Sequence, residues 1–137
     1  MSRALAAGTP DLVGGILEEA RRRGATAADA FLMQDQSFSA QVRLGQVDTV
    51  KHAREQHVAL RVFVGRSVAA ASTSDLSRDS LSRLVDEAVS LARITSPDEL
   101  AGLPEASDLA RTVPELDLAD PEGHDLPPED KIELARR

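Results

Sequence analysis

The sequence contains no cysteine, tryptophan or tyrosine, and only three phenylalanines. Without cysteine, disulfides, thiolate metal ligands and thiol catalysis are all excluded. No apolar run approaches the roughly 20 residues of a membrane-spanning helix, and the N-terminus is too short and too weakly apolar for a secretory signal. We therefore expect a cytoplasmic protein that makes no membrane contact and whose core consists of Val, Leu, Ile and Ala.

Acidic residues and prolines are concentrated in one segment. Residues 96–130 contain eleven acidic residues, one basic residue and six of the seven prolines. Proline removes backbone donors, and like charges repel, so neither a helix nor a strand should cross this segment. We predict an α+β domain over 1–95, an extended acidic connector over 96–127 and the first turns of a further helix over 128–137. The acidity also disfavours a nucleic-acid partner.

Two stretches have helical periodicity. Residues 12–20 carry an apolar stripe, and Gly24 is placed to end the helix. Residues 78–94 carry a second stripe, for which Ser77 can serve as the N-cap. The glycines at positions 14 and 15 should each weaken the first helix by about 1 kcal/mol relative to alanine.

The region between the helices has strand periodicity. We predict a hairpin from residues 37–44 and 47–54, a central apolar strand over 59–64, and further strands over 68–73 and 28–36. Strands joined by such short turns must be antiparallel. The sequence thus predicts an α+β fold with an antiparallel sheet of about four to five strands and both helices packed on one of its faces.

No catalytic or metal-binding pattern is present. His52 and His57 have odd separation in a predicted strand, which places them on opposite faces, and neither is followed by Glu. His124 lies in the acidic connector, where a solvated side chain is expected. There is no Gly-x-Ser-x-Gly elbow and no phosphate-binding glycine loop. We expect no catalytic residue and no metal ligand in this chain.

One polar segment, Ser72–Ser77, stands between a predicted strand and a predicted helix. Turn and cap chemistry is its simplest interpretation. The alternative is a loop that contacts a peptide or a partner protein. The candidate contact residues are Arg61, Ser72, Thr73, Ser74 and Asp75.

Several ordered pieces of the sequence carry a family resemblance, at residues 25–31, 42–47, 60–65 and 71–77. Together they resemble the N-terminal domain of the TldD/PmbA (TldE) family, formerly called modulators of DNA gyrase. Residues 101–104 and 116–122 are more similar to the PmbA/TldE branch than to the TldD branch. His57 and Ala59 depart from the family pattern, which often has glycines there.

The resemblance implies a function. TldD-type and TldE-type subunits form a two-subunit metalloprotease that acts on small unfolded polypeptides, with zinc held by a His-Glu-x-x-x-His motif on the TldD-type subunit. This chain lacks that motif, so the resemblance implies a non-catalytic domain that assembles with a TldD-like subunit and helps to handle the substrate. A binding module that modulates DNA gyrase without proteolysis, and a self-sufficient enzyme, are the alternatives.

Overall fold

A computed structural model describes residues 9–118 and 126–137. Its helices are α1 (Thr9–Arg22), α2 (Arg78–Ile94) and α3 (Pro128–Arg136), and its strands are β1 (Ala27–Arg43), β2 (Gln46–Val64) and β3 (Ser67–Thr73). The strands form one antiparallel sheet in the order β1–β2–β3. The predicted α+β class and antiparallel sheet are confirmed.

The sheet has three strands among the described residues, fewer than the four to five predicted. Predicted strands 28–36 and 37–44 are one strand, β1, and predicted strands 47–54 and 59–64 are one strand, β2. No glycine or proline lies between residues 27 and 43, nor between 46 and 64. Apart from half-buried Asp29 and His57, the polar residues in these stretches are exposed. They leave each strand intact, because nothing in the backbone ends it.

Two tight turns connect the strands. Leu44 and Gly45 both have positive φ, 51° and 75°, as a type I′ hairpin turn requires. Gly65 has a φ of 63° and occupies the first position of the second turn, as in type II′. Both turns fall where the sequence predicts them.

The described residues fall into two compact units. One contains residues 9–33 and 56–111, and the other contains 34–55, 112–118 and 126–137. The predicted division into a domain over 1–95 and a connector over 96–127 stays a prediction.

The core of the first unit is built on alternate residues of β2. Val58, Leu60 and Val62 are fully buried. They pack in one cluster with residues of α1 and α2, namely Ile16, Ala20, Leu84, Val85, Ala88, Val89 and Ala92. Both helices thus cover the same face of the sheet, as predicted. Leu60 and Val62 pair with Ala71 and Ala69 of β3, which are small enough to let α2 approach closely.

The end of α1 is a Schellman motif. The Ala25 N–H donates to the Ala20 carbonyl and the Gly24 N–H to the Arg21 carbonyl, each over 3.0 Å. Gly24 has a φ of 103°, which L-residues with a side chain rarely adopt. The predicted stop at Gly24 is therefore confirmed.

The Arg23 side chain links α1 to α2. Its guanidinium contacts Glu19 and Asp86 and donates to the carbonyl and hydroxyl oxygens of Ser82 over 2.9 and 2.8 Å. Burial by itself lowers the pKa of Arg23, but the hydrogen bonds to Asp86 and Glu19 raise this pKa above its ordinary value. This side chain is a structural link and not merely a charge near the end of a helix.

The second unit has no fully buried residue among those described. In β1, half-buried Phe38, Ala40 and Val42 alternate with exposed polar residues, as predicted. The ammonium group of Lys131 on α3 lies 5.7 Å from the centre of the Phe38 ring.

The predicted connector contains neither helix nor strand between residues 96 and 118, in keeping with its prolines. Residues 119–125, with His124, lie outside the described residues. Across 9–118 and 126–137, no helix combines the length and the apolar character that crossing a membrane requires.

The helix glycines provide a matched test of these backbone requirements. We expect Gly24→Ala to lower the free energy of unfolding by about 1–2 kcal/mol, because φ of 103° strains an L-residue. A Cβ at Gly24 would also meet Arg93 Nη2 at 3.0 Å. Gly14→Ala should raise stability by about 0.5–1 kcal/mol, since nothing lies within 4 Å of its Cβ position. Urea unfolding measures both changes, and equal effects of the two variants would contradict the assigned helix end.

Candidate functional site

The outer side of β3 is an edge of the sheet. The turn at residues 65–66 makes Val64 and Ser67 the first hydrogen-bonded pair of the β2–β3 hairpin. Hydrogen-bonded and non-hydrogen-bonded pairs alternate along antiparallel strands, so every second residue of β3 directs its N–H and C=O away from β2. These residues, which we call the open edge, are Val68, Ala70 and Ser72.

A contact on the other side of β2 agrees with this assignment. Phe63 pairs with Val68, so its carbonyl should point away from β3. It does so, accepting hydrogen bonds from the Thr26 N–H over 2.8 Å and the Thr26 hydroxyl over 3.0 Å. Within the described residues, no loop or helix makes a backbone hydrogen bond at the open edge.

Arg61 lies on the sheet face opposite the helices. Its Nε and Nη2 donate to the two carboxylate oxygens of Asp29 over 2.8 and 2.6 Å, and its guanidinium stacks 5.5 Å from the centre of the Phe63 ring. The hydrogen bonds to Asp29 raise the pKa of Arg61 above its ordinary value. The Arg61 and Asp29 side chains are each 47% exposed.

The register places one predicted contact residue beside Arg61. Arg61 is opposite Ala70 and Ser72 is opposite Ala59, so Arg61 and Ser72 are diagonal neighbours on the helix-free face. Diagonal neighbours lie about 7–8 Å apart. Thr73 pairs with Val58 and therefore belongs to the helix-covered face.

The predicted loop residues Ser74 and Asp75 follow the strand. The Asp75 carboxylate accepts hydrogen bonds from the Ser77 N–H over 2.9 Å and the Ser80 hydroxyl over 2.6 Å. Ser77 in turn caps α2 by accepting from the Ser80 N–H. Turn and cap chemistry, the simpler interpretation of this segment, is thus present in the structure.

A small groove of about 220 Å³ lies between the end of β3 and α2. Its lining consists of Ser72, Thr73, Ser80, Arg83, Leu84 and Glu87. Arg83 donates to the Ser80 hydroxyl over 2.9 Å. Within the described part of the chain, neither Arg83 nor Glu87 forms an ion pair.

The structure therefore joins some of the predicted contact residues and separates others. Arg61 and Ser72 share one face of the sheet. Ser72 and Thr73 line the groove beside α2, and Asp75 bonds Ser80, which also lines it. Arg83 and Glu87 were not predicted. Their spacing of four residues, with opposite charges on one side of a helix, is the sequence signal that indicates them.

A larger cleft of about 530 Å³ between α1 and α2 lies away from these residues. Its floor includes Leu12, Ile16, Leu81 and Val85. Glu19 and Arg23, which form an ion pair with each other, also line this crevice between two packed helices.

Neither His52 nor His57, the two histidines in the described part of the chain, forms a zinc site with other ligands. His52 contacts the Gln36 amide nitrogen at 3.0 Å and the Phe38 ring, and His57 contacts the Phe31 ring. Among residues 9–118 and 126–137, no three His, Cys, Asp or Glu side chains lie together as metal ligands would. The described residues therefore do not fit a zinc ion.

The Asp75 hydrogen bonds make a testable prediction about pH. The hydrogen bond from the Ser80 hydroxyl, followed by that from the Ser77 N–H, lowers the pKa of Asp75 below its ordinary value of 3.8. A lowered pKa in the folded state stabilises the protein above pH 3.8, and this stabilisation is lost as the pH falls through the folded-state pKa.

We therefore expect the stability advantage of the wild-type chain over Asp75→Asn to be largest above about pH 4 and to shrink at lower pH. Urea unfolding at a series of pH values measures this difference. Asp35→Asn, which removes an exposed carboxylate on β1, is the control. A difference that does not change with pH would contradict the role given to Asp75.

Comparison with known proteins agrees with the resemblance. Residues 28–92 match the family described as PmbA/TldA metallopeptidase domain 1. The chain is 33% identical over 110 residues to the metalloprotease PmbA of Escherichia coli O157:H7, covering 80% of this chain and 24% of that protein. It is 31% identical over 102 residues to the metalloprotease PmbA homolog of Haemophilus influenzae, covering 74% of this chain and 22% of that protein.

Two solved structures from this group of proteins also resemble the chain. A Bacteroides thetaiotaomicron protein named for modulation of DNA gyrase matches with a TM-score of 0.86 and 25% identity, over 97% of this chain and 30% of its own. TldE from Thermococcus kodakarensis shares the fold, with a TM-score of 0.68 and 15% identity over 89% of this chain and 28% of its own. The chain spans about a quarter of the length of its curated relatives. It belongs to the PmbA/TldD family, with the family's first domain at residues 28–92.

Proposed function

We propose that this chain is a non-catalytic, substrate-handling domain of a PmbA/TldD-type peptidase assembly and that it holds small unfolded polypeptides at the open edge of β3. The single observation that supports the proposal is the row of backbone groups at Val68, Ala70 and Ser72, which bond to no other described residue through the backbone. An extended polypeptide can pair with such an edge through its main chain, whatever its side chains. This mode of binding suits substrates that are unfolded and varied in sequence.

The surroundings of the edge support this role. Ala70 and Ser72 are exposed and small, so their backbone is accessible to another strand. Arg61 is held in place by Asp29 and Phe63, with one guanidinium nitrogen, Nη1, outside the bonds to Asp29. A bound chain could therefore contact Arg61 and Ser72 from the helix-free face and the Thr73–Asp75 segment near α2.

The catalytic step belongs, in this proposal, to a TldD-like partner subunit that supplies zinc. The described residues provide no cluster of metal ligands. The relatives named metalloprotease are about four times as long as the matched region. Assembly with such a partner would place the edge of this domain beside a separate active site.

Modulation of DNA gyrase remains a second candidate because the Bacteroides neighbour carries that name. The two candidates differ in the protein that the chain should bind. Parallel titrations of this chain against a purified TldD-type subunit and purified gyrase distinguish them. Binding to gyrase alone would favour the second candidate.

The edge itself can be tested by removing one outward donor. We expect Ala70→Pro to weaken binding of a fluorescein-labelled, unstructured peptide of about 12 residues by roughly two- to tenfold, the equivalent of one hydrogen bond. Proline is tolerated on edge strands, and the Ala70 N–H is outside the β2–β3 ladder. Fluorescence anisotropy measures the affinity.

Ala70→Ser is the matched control, since it keeps the N–H and a small side chain. Urea unfolding of both variants establishes that each is folded. Equal affinities of the two variants for the peptide would show that the peptide does not pair with the open edge.

The absence of catalysis is tested on the purified chain. We expect metal analysis to find no zinc in a one-to-one ratio with the chain. We also expect no chelator-sensitive hydrolysis of an unfolded peptide. Zinc bound in a one-to-one ratio, together with chelator-sensitive hydrolysis, would contradict the proposal and favour a self-sufficient enzyme.

A further inference from the structure

The groove beside the open edge carries two charges that the proposed function does not use. Arg83 and Glu87 are exposed, lie four residues apart on α2, and form no ion pair within the described residues. Arg83 donates one hydrogen bond to the Ser80 hydroxyl, and its charge helps to lower the pKa of Asp75. Leu84, which is 3% exposed, lies in the same groove, and Ser72 and Thr73 of β3 line its other side. The charges thus border the path that a strand added to β3 would follow.

The spacing of the two charges matches that of an extended chain. Residues four apart on a helix are separated by about 6 Å along its axis. Alternate residues of a strand point to the same side and lie about 6.6–6.8 Å apart. Two side chains at positions i and i+2 of a bound peptide can therefore face Arg83 and Glu87 together.

The chain direction determines which charge comes first. The four-residue loop 74–77 returns the chain from β3 into α2, which packs on β3, so α2 runs opposite to β3. A peptide that pairs antiparallel with β3, the more stable arrangement, runs in the same direction as α2. Its earlier residue then faces Arg83 and its later residue faces Glu87.

We infer that Arg83 and Glu87 select polypeptide segments of the pattern acidic–x–basic for binding at the open edge of β3. This inference rests on the proposed function, because it requires a peptide paired with that edge. It adds a preference of charge pattern to a main-chain interaction that by itself is independent of sequence. Arg83 and Glu87 are positioning and specificity residues and have no part in bond cleavage.

The test uses two labelled peptides of about 12 residues that differ only in the order Glu-x-Lys or Lys-x-Glu at their centre. We expect the wild-type chain to bind the Glu-x-Lys peptide roughly fivefold more tightly, as two exposed ion pairs would give. Added salt of about 0.5 M should remove most of the preference, since exposed charges are screened. Anisotropy titrations measure both affinities.

Two variants connect the preference to these side chains. The double variant Arg83→Glu/Glu87→Arg should reverse the preference, and Arg83→Gln/Glu87→Gln should abolish it without reversal. Urea unfolding verifies that both are folded. Three results would each overturn the inference. They are equal binding of the two peptides to the wild-type chain, a wild-type preference for Lys-x-Glu, and a preference that is unchanged in Arg83→Glu/Glu87→Arg.

The outcome also separates this inference from the proposed function. If both peptides bind equally and Ala70→Pro weakens both, the edge captures polypeptides and only the charge selection is wrong. If neither peptide binds to the wild-type chain, edge capture and charge selection are both wrong.

Discussion

The burial of one alternate row of β2 determines the rest of this domain. Val58, Leu60 and Val62 lose all contact with solvent under α1 and α2. Each aliphatic side chain buried in this way contributes about 1.5–3 kcal/mol. A shift of the strand by one residue would move the whole row to the other face, so the core holds the register. That register in turn directs the backbone groups of Val68, Ala70 and Ser72 outward, so the open edge is a consequence of how the core is packed.

Much of this fold could be predicted from local sequence. Ser77 caps α2 and Gly24 ends α1 because each residue satisfies helix-end hydrogen bonds by a short-range rule. The number of strands could not be predicted, since the exposed polar stretch near Gln34–Ser37 looks like a break. It is part of β1, because an exposed strand needs only a paired backbone and tolerates polar side chains on both faces. The role of Arg23 could not be predicted either, because its contacts with Ser82 and Asp86 depend on tertiary packing.

The candidate site was less predictable than the fold. The polar segment after β3 could be identified from its composition, and the hydrogen bonds of Asp75 explain that composition as a cap. The outward direction of alternate β3 residues depends on the register with β2, which no single strand reveals. Glu87 lies on an exposed helix face, where a solvated side chain is the ordinary expectation. Glu87 becomes a candidate contact residue only because α2 lies beside the open edge of β3.

Amide hydrogen exchange, followed by NMR in the presence and absence of an unfolded peptide, tests the central claim most directly. The account predicts that the amides of Ala69, Ala71 and Thr73 are protected in the chain alone, because they bond to β2. The amides of Val68, Ala70 and Ser72 should exchange rapidly and become protected only when the peptide is added. Protection of these three amides without peptide, or rapid exchange in its presence, would contradict the account.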